Sequence, residues 1–160
     1  MVWIAAAWLG IMLAERFSKR EKAIDGLISF FRRCEIEISH YSLSFPSLIE
    51  KIASEESLRT LQFILLCNQK IKNGEDFPDA WKKSLEESPP IILPNEKERL
   101  SRFGTLLSSC DTQGVLNVLS FYEEFFKTSL AEAKSAKKKY AKLCIAGGVF
   151  VGCVLFMTLI

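Results

Sequence analysis

The sequence predicts an all-α fold: a bundle of about six helices whose long first and last members continue into N- and C-terminal membrane helices. Three observations predict it. Apolar residues recur at three- and four-residue spacing along most of the chain, and no stretch sustains the period-two alternation of a half-buried strand. Breaker-rich segments such as "SPPIILP" separate the periodic stretches. Each end of the chain is an apolar run with a basic cluster on its inner side.

The first apolar run, Met1–Ala14, reaches only ~21 Å as a helix, short of the ~30 Å hydrocarbon thickness. Extending it to Phe17 brings Glu15 and Arg16 to the membrane edge, where long side chains reach outwards. A cleaved signal peptide carries its positive charge before the apolar stretch. Here Arg16, Lys19, Arg20 and Lys22 follow it, which predicts an uncleaved anchor. From Glu15 onward, Ile24, Leu27, Ile28, Phe31, Cys34 and Ile38 form one stripe of a helix about 25 residues long.

"SFPSLIEKIA" predicts a short second helix, with Ser44 as cap and Pro46 in its first turn. "SLRTLQFILLCNQKIKNG" predicts a third, from near Ser57 to a stop at Asn73-Gly74. It is apolar nearly all round at "FILLC", which places it at the centre. "DFPDAWKKSLEE" predicts a fourth helix, with Asp76 as cap and Trp81 and Leu85 on one face. In "NEKERLSRFGTLLSSC" the expected cap is Asn95 with Glu98 three residues on, followed by a stripe of Leu100, Phe103, Leu107 and Cys110. Asp111 is the expected cap of the last helix. That helix carries Val115, Val118, Leu119, Tyr122, Phe125, Phe126, Leu130 and Ala133, and continues through a collar of five lysines. The run Leu143–Ile160 then holds no charge and spans ~27 Å as a helix, close to one bilayer crossing.

Lysine and arginine placement predicts orientation. Arg16, Lys19 and Arg20 follow the first run, and Lys137, Lys138, Lys139 and Lys142 precede the second. Both clusters put residues 15–142 in the cytoplasm, with residues 1–14 and 143–160 in the membrane and both termini on the other side. Ala6, Gly10 and Ala14 fall at four-residue spacing, and Gly148 and Gly152 form G-x-x-x-G. Such small-residue stripes let membrane helices approach closely. The expected contact is between the two spans; self-association and another subunit are the alternatives.

Composition excludes more than it assigns. A net charge of +2, with the basic residues beside the apolar ends, gives no broad nucleic-acid surface. Five cysteines, at 34, 67, 110, 144 and 153, form no C-x-x-C, so neither a zinc site nor a disulfide framework is expected. Nucleotide-binding, nucleophile-elbow and metalloprotease motifs are absent. His40 is the one histidine and reads as a surface or capping residue. Glu35 and Glu37 point to different sides of a helix, a poor geometry for acid–base work. The pairs Glu55–Glu56, Glu86–Glu87 and Glu123–Glu124 read as solvated, and Trp81 as a core residue. No catalytic, cofactor-binding or metal-binding residue is expected, and no small-molecule substrate. The residues describe a non-catalytic, helical, cytosol-facing module fixed to the bilayer.

The order of features resembles the stage III sporulation protein AB family of endospore-forming bacteria. It begins with the apolar start, basic residues and a helix ending in Glu37-Ile38. "AWKKSL" follows, then "RFGTLLSSCD", then a basic helix leading into a glycine-rich apolar tail. The chain departs from the family pattern at Ser44-Phe45-Pro46 (P-L-P in the family), at Ser108 (a second glycine) and at Val115 (a glutamine). The resemblance implies a scaffold in the mother-cell membrane around the forespore, within a secretion-like channel complex containing other membrane subunits. Its cytosolic bundle would be similar to the platform-protein domains of type II secretion. It would receive a cytoplasmic ATPase resembling stage III sporulation protein AA. Arg32, Arg33, Glu35 and Glu37 on the first helix are the expected docking charges. The alternative reading is a small membrane sensor or regulator whose helical domain binds a signalling partner.

Overall fold

The computed structural model describes the backbone of residues 2–41, 45–53 and 61–159, and the side chains of residues 15–40, 45–53 and 61–140. Within them the chain is all-helical. The helices are α1 (Val2–Tyr41), α2 (Phe45–Ala53), α3 (Gln62–Lys72), α4 (Phe77–Glu87), α5 (Pro94–Ser108) and α6 (Thr112–Leu159). Six helices and no strand among the described residues match the fold class expected from periodicity.

α1 and α6 are one long antiparallel pair. Phe17 stacks on Tyr140, Glu21 meets Lys137, and Arg32 meets Glu123, so partners ascend on one helix as they descend on the other. At ~1.5 Å per residue, 40 and 48 residues make rods of roughly 60 and 72 Å. α6 passes from the core through the lysine collar without a break, as expected. The four short helices pack beside this pair, α2 on α3, α3 on α4 and α4 on α5.

The stripe expected on α1 is buried in full, from Ile24 to Ile38. Ala23 and Phe30 are buried as well, because α1 is covered on two flanks. α6 covers one; the short helices cover the other, where Phe30 stacks on Trp81 at 5.7 Å. Trp81 is the middle of the core, with no exposed surface. Its ring lies 5.1 Å from both Phe63 and Phe103, and its Nε1–H donates to the Leu100 carbonyl at 2.7 Å. α5 comes this close to α4 because position 104 is glycine. A Cβ there would stand 3.2 Å from the Pro78 Cα and the Trp81 Cβ, and the Pro78 backbone cannot yield.

Several helix ends match their sequence signals. α3 stops at Asn73-Gly74, where Gly74 takes φ +90 and the Gly74 and Glu75 amides donate back to Ile71 and Lys70. Asp111 caps α6, accepting the Gly114 amide at 2.9 Å. Asp76 stands at the cap position of α4, but its side chain makes no capping hydrogen bond. α3 begins at Gln62, with Leu61 in a non-helical conformation before it, later than the start expected near Ser57; Ser44 and Ser57 lie outside the described residues.

Two expectations are corrected. α5 begins at Pro94, not after an Asn95 cap. Proline carries no N–H to satisfy and presets the helical φ, and Glu96 reaches back to the Leu93 amide at 2.7 Å. α3 does not lie at the centre. Its Leu65 is 38% exposed, since only the Phe63–Ile64–Cys67 face meets α2 and α4. An apolar run in a short helix exceeded what its neighbours could cover.

Candidate functional site

The side chains that give the molecule a functional character are the charges strung along α1 and α6. Nearest the core, Arg32 donates to Glu123 at 2.9 Å, and Lys127 approaches the same carboxylate at 3.1 Å. Glu123 is buried, which corrects the expectation of a solvated Glu123–Glu124 pair; Glu124 is exposed. Burial pushes the Glu123 carboxyl up, but hydrogen bonds from Arg32 and Lys127 outweigh it and hold the group below the usual carboxylate range.

A depressed folded-state pKa gives stability that is present above the unfolded carboxylate value, ~4.3, and is lost as pH falls through the folded value. Thermal melts of the purified chain should therefore show Glu123→Gln less stable than the parent at neutral pH. The gap should close as the pH falls through the folded-state value of Glu123. A gap independent of pH would mean that the Glu123 charge contributes nothing.

Of the four expected docking residues, Arg32 is exposed yet committed to Glu123, and Arg33 is exposed and approaches Glu37 at 3.7 Å. Glu35 is half-buried. Glu37 is not an exposed charge: it is 3% exposed and accepts Lys51 of α2 at 2.7 Å, fixing the short helix to the long one. Its side-chain direction, opposite to that of an ordinary solvated glutamate, follows from sharing a face with Cys34 and Ile38.

The expected topology-setting residues divide in the same way. Arg16 and Lys19 are exposed, Lys19 pairing with Glu15 at 3.0 Å. Arg20 turns inwards to Glu96 of α5 at 2.8 Å, the same carboxylate that holds the Leu93 amide. The Pro94-Asn95-Glu96 start carries the local signal for this cap, its third residue reaching back to the Leu93 amide, but nothing near it in sequence points to Arg20. Lys137 reaches Glu21 across the helix pair at 2.8 Å, and its hydrogen bond holds the Glu21 carboxyl below the usual range. Lys138 and Lys139 are exposed. Lys142, and the stripe residues Ala6, Gly10, Ala14, Gly148 and Gly152, lie outside the residues whose side chains are described. No helix among the described residues is long and apolar enough to cross a membrane.

Among the described residues no group of three or more His, Cys, Asp or Glu side chains could hold a metal ion. Burial pushes the Cys67 thiol up to about 12 and the Cys34 thiol well above its ordinary value, so both stay protonated at neutral pH. His40 is exposed, as expected. What the arrangement offers is a set of cross-helix ion pairs that register two long rods, and a basic edge where those rods meet their apolar ends.

Comparison with known proteins adds identity to this geometry. The sequence model of the family described as Stage III sporulation protein AB matches residues 1–160. The chain belongs to this family. A curated relative, Stage III sporulation protein AB of Bacillus subtilis (strain 168), is 24% identical over 160 residues, covering 98% of this chain and 93% of the relative. No solved structure matches. Membership assigns the chain a part in sporulation. Among the positions that depart from the family pattern, Phe45 stacks on Phe77 at 5.4 Å, Ser108 is exposed, and Val115 lies in the buried core, where a valine needs no polar partner; Ser44 lies outside the described residues.

Proposed function

We propose that the chain is a non-catalytic platform of a sporulation secretion-like channel complex. It is anchored in the mother-cell membrane by residues 1–14 and 143–160, with residues 15–142 in the cytoplasm and both termini on the opposite side. The bundle docks a cytoplasmic ATPase resembling stage III sporulation protein AA, beside other membrane subunits. One observation carries this reading. Both rods of the antiparallel pair are continuous helix from the core, through a basic cluster, into an apolar end. A load applied to the bundle passes into the apolar ends with no flexible linker to absorb it. Basic clusters at both junctions support the cytoplasmic placement.

The test is capture of the ATPase by the full-length chain in detergent, compared with Arg33→Glu/Glu35→Lys. Arg32 is left in place because its reversal would replace a 2.9 Å contact to Glu123 by a second carboxylate, whereas Glu37 lies 3.7 Å from Arg33 and keeps Lys51 at 2.7 Å. Binding should fall by roughly tenfold with helical content unchanged. Undiminished capture would remove this face of α1 as the docking surface, and no capture by the parent chain would remove the ATPase from the reading.

A further inference from the structure

The basic edge of the rod pair encloses a site that the platform reading does not use. Between α1 and α6 lies a cleft of about 250 Å³, with Glu21, Lys22 and Asp25 on one wall and Lys134 and Lys137 on the other. An adjoining hollow of about 370 Å³ is lined by Glu21, Lys134, Lys137 and Lys138. Lys137 is held by Glu21 at 2.8 Å, so the cleft already presents an ammonium to one anionic oxygen. Lys22, Lys134 and Lys138 form no ion pair among the described residues. Lys22 and Lys134 thus line the cleft, and Lys134 and Lys138 line the hollow beside it; Glu21 is the carboxylate engaged by Lys137, and Asp25 lies on the side of the cleft nearer the bundle.

Depth selects the ligand. Lys137 is six residues, ~9 Å of helix, from the start of the apolar run at Leu143. Between them Phe17 stacks on Tyr140 at 4.7 Å, an aromatic pair at the level where such rings mark a membrane interface. The cleft therefore opens at headgroup depth, where lipid phosphates are far more concentrated than any soluble anion. We propose that this cleft and the hollow that adjoins it bind the phosphate of an anionic phospholipid, with Lys22 and Lys134 of the cleft and Lys138 of the hollow as donors and Glu21 as the internal anion that competes for Lys137. The proposal rests on the membrane placement given above.

The test uses the full-length chain in neutral detergent, with native mass spectrometry reporting lipid retained on titration with phosphatidylglycerol, phosphatidylcholine or inorganic phosphate. Phosphatidylglycerol should be retained in preference to phosphatidylcholine. Its affinity should fall roughly tenfold or more in Lys22→Gln/Lys134→Gln/Lys138→Gln. Glu21→Gln should instead raise it, because Lys137 is released; a purely structural role for the Glu21–Lys137 bridge predicts no gain. Equal retention of both lipids, an unchanged triple variant, or no gain in Glu21→Gln would overturn the assignment. Displacement of the lipid by equimolar inorganic phosphate would also overturn it, since the site would then be one for free anions. Recovery of the parent chain in the aqueous fraction of lysed cells would defeat the membrane placement itself. A membrane-inserted chain indifferent to headgroup charge would defeat the cleft alone.

Discussion

Replacing Trp81 by alanine should cost roughly 3–5 kcal/mol of stability, the range for deleting a large aromatic from a packed interior. The upper end is expected here for two reasons. Trp81 has no exposed surface and is ringed by Phe30, Phe63, Phe77 and Phe103, on four different helices, so collapse onto the void would require several rigid elements to move together. Its Nε1–H also donates to the Leu100 carbonyl at 2.7 Å, a buried hydrogen bond that the substitution removes. Against a total stability of about 5–15 kcal/mol, such a loss lowers the melting midpoint by about 10 °C or more. Thermal denaturation followed by circular dichroism measures it. Trp81→Phe, which keeps most of the volume but not the donor, should lose about half as much. Equal losses in the two variants would show that the hydrogen bond, not the packing, dominates.

The second large effect is expected at Glu96. Its carboxylate is 2% exposed and divided between Arg20 at 2.8 Å and the Leu93 amide at 2.7 Å, so Glu96→Ala strands a cation and a helix-start donor together. Breaking a fully buried pair costs about 3–5 kcal/mol. The Arg20 side chain keeps 16% of its surface in water, which reduces the expectation to roughly 2–4 kcal/mol. Arg20→Met should cost less, because Glu96 retains the Leu93 amide. The Arg20→Met/Glu96→Ala double variant should be more stable than the two single losses added together predict. Chemical denaturation of the four proteins tests this; strict additivity would mean that the two side chains do not act on each other. The Nε of Arg20 is buried with no partner, so the arginine is held by one end of its fork.

How far the sequence can be read is set by what each signal depends on. The stripe of α1 and that of α6 were readable because helical periodicity alone selects a face; the first is buried in full, the second except for the half-buried Val118, Phe125 and Leu130. Gly74 and Asp111 were readable because their chemistry acts within a few residues. Leu65 misled, since a local apolar run says nothing of how many neighbours the fold supplies. Glu37 and Glu123 misled, and Glu96 carried no sign of its burial, for the complementary reason. A glutamate is burdensome to bury unless a cation arrives from elsewhere, and Lys51, Arg20 and Arg32 arrive from 14, 76 and 91 residues away. α1 carries charges along most of its inner length. Which of its charges are already committed within the molecule depends on pairings that no window of sequence contains.

The pairings 17 with 140, 21 with 137 and 32 with 123 keep nearly constant register along the two rods. An α-helix turns about 100° with every residue. A single residue added or removed between Ala133 and Lys137 would swing everything beyond it by that angle, carrying Lys137 and Tyr140 off their partners while the interior stayed filled. The spacing between interior and collar is thus as constrained as the identity of any buried side chain, and evolution can alter the surface of that stretch far more freely than its length.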